Sequence, residues 1–380
     1  MKYVDEFRDG TLALEVAGAI AREAEPARRY AFMEFCGGHT HTICKYSLAS
    51  MLPDNVEMIH GPGCPVCVLP IGRLEQAMTL ARQPNVTLAT YGDMMRVPAK
   101  DRESLLSAKA RGADVRMVYG PAEALKLARA TPGREGVFFA IGFETTTPTT
   151  ALAVQQAALE KLTNFSVLCN HVLTPAAIGA LLDSDGGAAR LDGFIGPGHV
   201  STIVGTAPYE RFARDYGKPI VVSGFEPLDL LQSILMLVRQ RNEGRSEVEN
   251  QYKRAVTRGG NAIAQKLIDE VLELRPTFSW RGLGEIPLSA LQLRPRYAAW
   301  DAEKKFDAPA PDVADHPACA CSEILRGAKK PRDCRVFGTA CTPETPVGAC
   351  MVSPEGSCAA YYQYGRLRKA EELVRKEVAS

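Results

Sequence analysis

No sign of charge dominates this sequence. Lys plus Arg number 45, Asp plus Glu number 44, and the formal net charge is +1. That balance gives no reason to name nucleic acid or an acidic membrane as the main partner. No apolar run is long enough to cross a bilayer. The first thirty residues lack the pattern of a signal peptide. Asp5, Glu6 and Asp9 stand where a signal carries positive charge, and the apolar stretch Thr11 to Ala21 contains Glu15. That stretch reads as an amphipathic helix ending before Pro26. A cytoplasmic location is therefore expected, and structural disulfides are uncommon there. The chain nevertheless contains 11 cysteines, for which metal ligation or thiol redox chemistry is the leading explanation.

Its 380 residues, 46% hydrophobic and 23% charged, fit a globular protein of two or three domains. Short apolar runs alternate with helical stretches from Tyr30 to about Gln240. Strands are predicted at Ala31–Phe35, Val56–His60, Val86–Tyr91, Val115–Tyr119, Val137–Ile141, Phe165–Cys169, Leu191–Ile195 and Pro219–Ser223. Gly-containing turns and helix patterns follow most of them, which argues for βαβ units with functional loops at the carboxyl ends of the strands. Eight such strands also suit a closed barrel. Two smaller α/β domains are preferred because Gly61-Pro62-Gly63 is echoed by Gly196-Pro197-Gly198, and Gly142-Phe143-Glu144 by Gly224-Phe225-Glu226.

The predicted division is therefore an N-terminal helix (1–29) packing with the C-terminal region, a Rossmann-like α/β domain (30–150), a second one (151–240), and a mainly helical or irregular cysteine-rich domain (241–380). Within the last, Glu247 to Leu274 reads as one long helix.

Cys319, Cys321, Cys334, Cys341, Cys350 and Cys358 fall within forty residues, among Gly and Pro turns. Thiolates gathered by loops are what zinc or an iron-sulfur cluster needs. Paired C-x₂-C knuckles, which zinc favours, are missing from this tail. Its wide spacings suit a [4Fe–4S] cluster, with zinc and metal-free cysteines as the alternatives. Four ligands suffice, so two thiols are left over for a redox pair.

Two other motifs place cysteine beside glycine. Cys36-Gly37-Gly38-His39-Thr40-His41 follows a strand and opens a helix, where the helix dipole and free backbone N–H groups favour thiolate. Gly61-Pro62-Gly63-Cys64-Pro65-Val66-Cys67 is a C-x-x-C at a strand end, either a dithiol redox pair or half of a metal site. The bland reading of each is a buried cysteine in a tight turn. Further polar residues sit at predicted strand ends: Asp93, Glu144, His171 and His199. Glu144 reads equally as a cap of the helix that follows, and His171 as a satisfied core histidine. Cys169 and Cys44 read as structural.

Taken together, Cys36 to His41, Gly61 to Cys67, Gly142-Phe-Glu-Thr-Thr-Thr-Pro148 and Gly196-Pro-Gly-His-Val-Ser201 resemble the HypD family of hydrogenase maturation proteins. The segment Cys341 to Cys358 is similar to that family's cluster region. The resemblance covers nearly the whole chain. It implies two α/β domains plus a third that holds a [4Fe–4S] cluster. It also implies work with a HypC-type small chaperone and a HypE-type cyanide donor on the iron, bearing cyanide and carbon monoxide, that enters [NiFe]-hydrogenase. Carried over, Cys36 would hold that iron with a partner's cysteine, Cys64 and Cys67 would bind iron or pass electrons, and His39, Thr40 and His41 would surround the diatomic ligands. Cys319, Cys334, Cys341 and Cys358 are the expected cluster ligands, with Cys321 and Cys350 as the spare redox pair. The competing functions are a cluster-dependent thiol/disulfide oxidoreductase and a zinc-stabilised binding module. Whether the chain is an enzyme or a metallochaperone-like scaffold is left open by the residues.

Overall fold

A computed structural model describes residues 4–184 and 191–365. Nine parallel strands carry the architecture: β1 (Tyr30–Glu34), β2 (Val56–His60), β3 (Val86–Thr90), β4 (Asp114–Met117), β5 (Glu135–Gly142), β6 (Phe165–His171), β7 (Gly193–Gly196), β8 (Ile220–Val222) and β9 (Val248–Asn250). The eight strands read from the sequence all form, each end within two residues of its expected place. They are legible because helices cover both sheet faces, so most of these strands are near-continuous apolar runs.

The strands form two open parallel sheets, ordered β2-β1-β7-β8-β9 and β4-β3-β5-β6. Sheet membership does not follow the expected divide at residue 150. The chain lays down β1 and β2, builds the whole second sheet, and returns to place β7 beside β1, with Phe32 opposite Gly193. Gly193 permits that return, because a β-carbon there would lie 2.9 Å from the Pro219 carbonyl oxygen. Residues 248–250 then extend the first sheet, so its territory reaches past the expected limit of 240.

The N-terminal helix, Gly10–Glu23, is capped by Asp9, whose carboxylate accepts from the Thr11 and Leu12 N–H groups. It buries Ala13, Ala17 and Ile20. Its partner is the helix Pro227–Asn242 of the first sheet rather than the cysteine-rich region that was expected. A bidentate Arg239–Glu23 pair closes that contact. Small alanines on the buried face let the two helices approach.

The predicted long helix at Glu247–Leu274 is not formed. The segment divides into β9, a turn, a helix Ala262–Val271 and a strand, β10 (Leu272–Leu274). Gly260 makes the break, with φ +68° and Ile203 to Gly205 packed where a side chain would go. Beyond it lie two small antiparallel pairs rather than a mainly helical region. β10 pairs with β13 (Leu291–Leu293), and β11 (Thr277–Trp280) with β12 (Gly284–Pro287). The cysteine-rich tail is built from turns and short helices, Cys321–Leu325 and Ala349–Met351 among them, and ends in a helix over 357–365. Among the described residues no helix is long and apolar enough to cross a membrane.

Candidate functional site: a thiol corridor between the sheets

Cys36 leaves β1 in extended conformation and serves as N-cap of the helix Gly37–Lys45. Its backbone N–H donates to Glu34 Oε2 at 2.8 Å. Glu34 is fully buried, and its other oxygen accepts from Thr40 Oγ1 and faces His60 Nδ1 at 2.8 Å. Burial by itself lowers the His60 pKa, but hydrogen bonds to Cys44 and Glu34 outweigh it and hold the imidazole well above its ordinary value. A buried carboxylate–imidazolium pair therefore anchors the Cys36 loop.

The thiol itself departs from expectation. The helix start was expected to favour thiolate at Cys36. Burial, then the nearby Glu355 carboxylate, push its pKa up instead, and the backbone N–H groups of Gly38 and His39 offset this only in part. A thiolate here needs a cation beside it.

His199 Nδ1 stands 4.0 Å from Cys36 Sγ. Its ring stacks on Phe225 with centroids 3.8 Å apart, and Phe225 also meets His39, at 5.0 Å. His39 is fully buried with Nε2 facing the Ser223 carbonyl oxygen at 3.3 Å. Its Nδ1 and the nearby Ser223 Oγ have no hydrogen-bond partner. The other two residues of the motif point elsewhere. Thr40 serves Glu34, and His41 meets the Tyr364 hydroxyl at 3.2 Å on the C-terminal helix.

The C-x-x-C motif lies directly against this loop. Gly63 O accepts from Gly37 N at 2.9 Å, and a β-carbon on Gly63 would lie 2.7 Å from Cys36 Cα. Cys64 caps the short helix Pro65–Val68, and Cys64 and Cys67 are joined as a disulfide with Cα atoms 5.2 Å apart. The far side of that helix packs on Cys321–Leu325 and Ala349–Met351 of the tail. The tail also reaches over Cys36, where Glu355 fills the space beside Gly37.

Five tail cysteines are buried and Cys319 is half-buried. Cys321 is within hydrogen-bonding reach of both Cys319 and Cys350. Burial pushes the Cys358 thiol well up, and Cys321, Cys319, Cys341 and Cys334 add to it. Among the described residues, no three Cys, His, Asp or Glu side chains are set at the spacing of a metal-ion site. The donor set still suits an iron-sulfur cluster. It is all sulfur, buried and mutually repelling, and Val347 N–H points at Cys341 Sγ at 3.3 Å. Cationic iron is what makes thiolates stable in such a place.

A family model described as "HypD: Hydrogenase formation hypA family" matches residues 11–365. The chain belongs to the HypD family. It is 62% identical over 378 residues to a hydrogenase maturation factor HypD of Rhizobium leguminosarum bv. viciae, covering 98% of each chain. It is 59% identical over 372 residues to that of Cupriavidus necator, covering 97% of this chain and 98% of the relative. With the Escherichia coli K12 protein of the same name it shares 48% over 370 residues, 96% of this chain and 98% of the relative.

The HypD motifs quoted from the sequence lie at the carboxyl ends of both sheets. Glu144 follows β5 and is buried, which raises its carboxyl pKa to about 7. It accepts from Thr174 N and Oγ1 at 3.0 and 3.2 Å, so it caps the helix Thr174–Asp183 and not the helix that follows it in sequence. Tyr209, fully buried, lies within the field of both Glu144 and Cys36. His171 is a core histidine bonded to Thr150, with burial lowering its pKa to about 4. Cys169 Sγ donates to Leu291 O. Cys44, which read as structural, bonds His60. Sequence reasoning overlooked Glu34, His60 and Glu355. The signal for Glu34 was present: a carboxylate inside the apolar run Tyr30-Ala-Phe-Met-Glu-Phe35 is buried against its preference and needs a partner.

Proposed function

We propose that this chain acts in hydrogenase maturation by holding an iron cargo, bearing cyanide and carbon monoxide, at Cys36. The support is one contiguous line of sulfur: Cys36 against the Cys64–Cys67 loop, and that loop's helix against the tail cysteines. Thiolate is a soft, electron-rich donor for such iron. Binding the cargo requires Cys36 to lose its proton, and His199, kept neutral by burial, is the base 4.0 Å from the sulfur. The incoming iron then supplies the positive charge that the buried thiolate lacks. His39 Nδ1 and Ser223 Oγ are unpartnered polar atoms near this site, suited to hydrogen-bond the nitrogen ends of cyanide. A HypC-type small chaperone would complete the iron coordination with its own cysteine, and a HypE-type protein would deliver cyanide.

The tail residues proposed to hold a [4Fe–4S] cluster are Cys319, Cys334, Cys341 and Cys358. What supports this set is that the fields of Cys319 and Cys334 both reach the Cys341 thiol, and those of all three reach Cys358. Such a cluster, when bound, supplies single electrons. The remaining thiols, Cys321 and Cys350, lie within hydrogen-bonding reach of each other and stand as the spare redox pair.

The test is the iron content of the chain purified anaerobically with its small partner, with and without Cys36→Ala. Loss of cargo iron with retention of tail iron supports the reading. Unchanged iron in both pools overturns it.

One observation favours a second reading, a thiol/disulfide oxidoreductase: the joined Cys64–Cys67 pair packs on the tail. Cys64→Ala and Cys67→Ala that block maturation without changing cargo iron would favour that role. Loss of cargo iron in either would favour ligation.

A further inference from the structure

The tail and the C-x-x-C helix meet through one residue outside every motif named so far. Arg281 follows β11 and is 5% exposed. Its backbone N–H donates to Val68 O at 2.7 Å, and its Nε donates to Leu69 O at 3.1 Å. Those carbonyls close the helix that begins at Cys64. On its other side the guanidinium pairs with Asp315 at 3.5 Å, and Asp315 accepts from Ser322 Oγ at 3.0 Å, one residue after Cys321. Gly282, at φ +81°, packs so closely on Ser322 that a β-carbon would lie 2.8 Å from its carbonyl oxygen. The Arg281–Gly282 turn is thus wedged between the disulfide helix and the first tail cysteines. A guanidinium keeps a fixed positive charge and binds in a rigid fork. Its field acts on Cys319, Cys321 and Cys350, in each case favouring the thiolate.

We infer that Arg281 is a positioning residue for the sulfur nest, fixing the Cys64–Cys67 helix against the Cys319–Cys321 segment and supplying the buried charge that eases reduction of a bound cluster. The inference rests on the cluster reading above. A cluster held by four thiolates gains one negative charge when it takes up one electron. Burial makes that charge costly, and a fixed cation at close range offsets part of the cost. Asp315, 28% exposed, opposes the effect from the solvent side.

The experiment is an anaerobic redox titration of the cluster in the full chain, followed by visible absorption and electron paramagnetic resonance. Arg281→Gln is expected to make reduction at least tenfold less favourable, which for one electron is about 59 mV more negative. Arg281→Lys keeps the charge and is expected to fall between the two. Asp315→Asn is expected to shift the potential the opposite way by a smaller amount, and it decides the matter if Arg281→Gln does not fold. A merely structural arginine would leave Arg281→Lys displaced as far as Arg281→Gln. A bound cluster whose potential is unmoved in Arg281→Gln, or unmoved in Asp315→Asn where only that variant folds, overturns this inference alone. No cluster in the unsubstituted protein overturns the cluster reading and this inference with it.

Discussion

The backbone N–H of Cys36 donates to the side chain of Glu34, two residues earlier at the end of β1. The carboxylate thereby fixes the direction in which the cysteine leaves the sheet. It can do so because His60, on the neighbouring strand β2, supplies the compensating charge. Removing one partner leaves the other buried and unpaired. Glu34→Ala is expected to cost about 3 kcal/mol of stability, read as a lower urea midpoint at constant slope. A loss below about 0.5 kcal/mol, the range of ordinary surface changes, would mean that the pair does not anchor the loop.

Glu144 gives the fold a pH dependence. Its carboxyl is raised from 4.5 to about 7 by burial. The folded state therefore holds the proton more tightly than the unfolded state. The contribution is fully present below pH 4.5 and is lost as the pH rises through 7, by about 3 kcal/mol at most. Glu144→Gln mimics the protonated form and can still accept from Thr174. The variant is expected to lose less stability than the parent between pH 4.5 and 7 in parallel denaturation series. Identical slopes in that window would show that Glu144 is not held protonated.

Gly37 leaves room for Glu355, whose side chain occupies the position a β-carbon would take. Gly37→Ala is expected to push the 353–356 turn away from the Cys36 loop at a cost of about 1–3 kcal/mol. Hydrogen exchange should then rise at residues 353–356 and in the helix 357–365. Unchanged exchange there would show that the tail does not rest on Gly37.

Most of the fold was legible because the strands are apolar runs with a helix after nearly every one, and eight of nine were found. β9 is three residues long, Val248–Asn250, and only half-buried, so it carries no run to detect. The order of strands was not legible. The echo of Gly61-Pro-Gly63 in Gly196-Pro-Gly198 suggested two successive domains, yet both follow strands of the same sheet, flanking β1. The cysteines announced themselves by their spacing. Their environment did not: the helix start at Cys36 argued for an acidic thiol, and burial, with Glu355 from more than 300 residues away, reverses that argument. His41 looked equivalent to His39 in the motif, but the helix carries it to Tyr364.

The tail set is testable residue by residue. Alanine at Cys319, Cys334, Cys341 or Cys358 is expected to abolish the broad absorption near ~400 nm and the roughly four irons and four acid-labile sulfides per chain that a cubane brings. Alanine at Cys321 or Cys350 is expected to leave them in place. Loss on replacing Cys321, with retention on replacing Cys319, would move the fourth position to Cys321.

The most direct measurement is the infrared spectrum of the chain purified anaerobically with its small partner protein. Bands of iron-bound cyanide and carbon monoxide are expected in the complex. They are expected to disappear with Cys36→Ala while the tail's visible absorption persists. A complex of the unsubstituted chain without these bands, or bands that survive in Cys36→Ala, would contradict the assignment of Cys36 as the cargo's sulfur ligand.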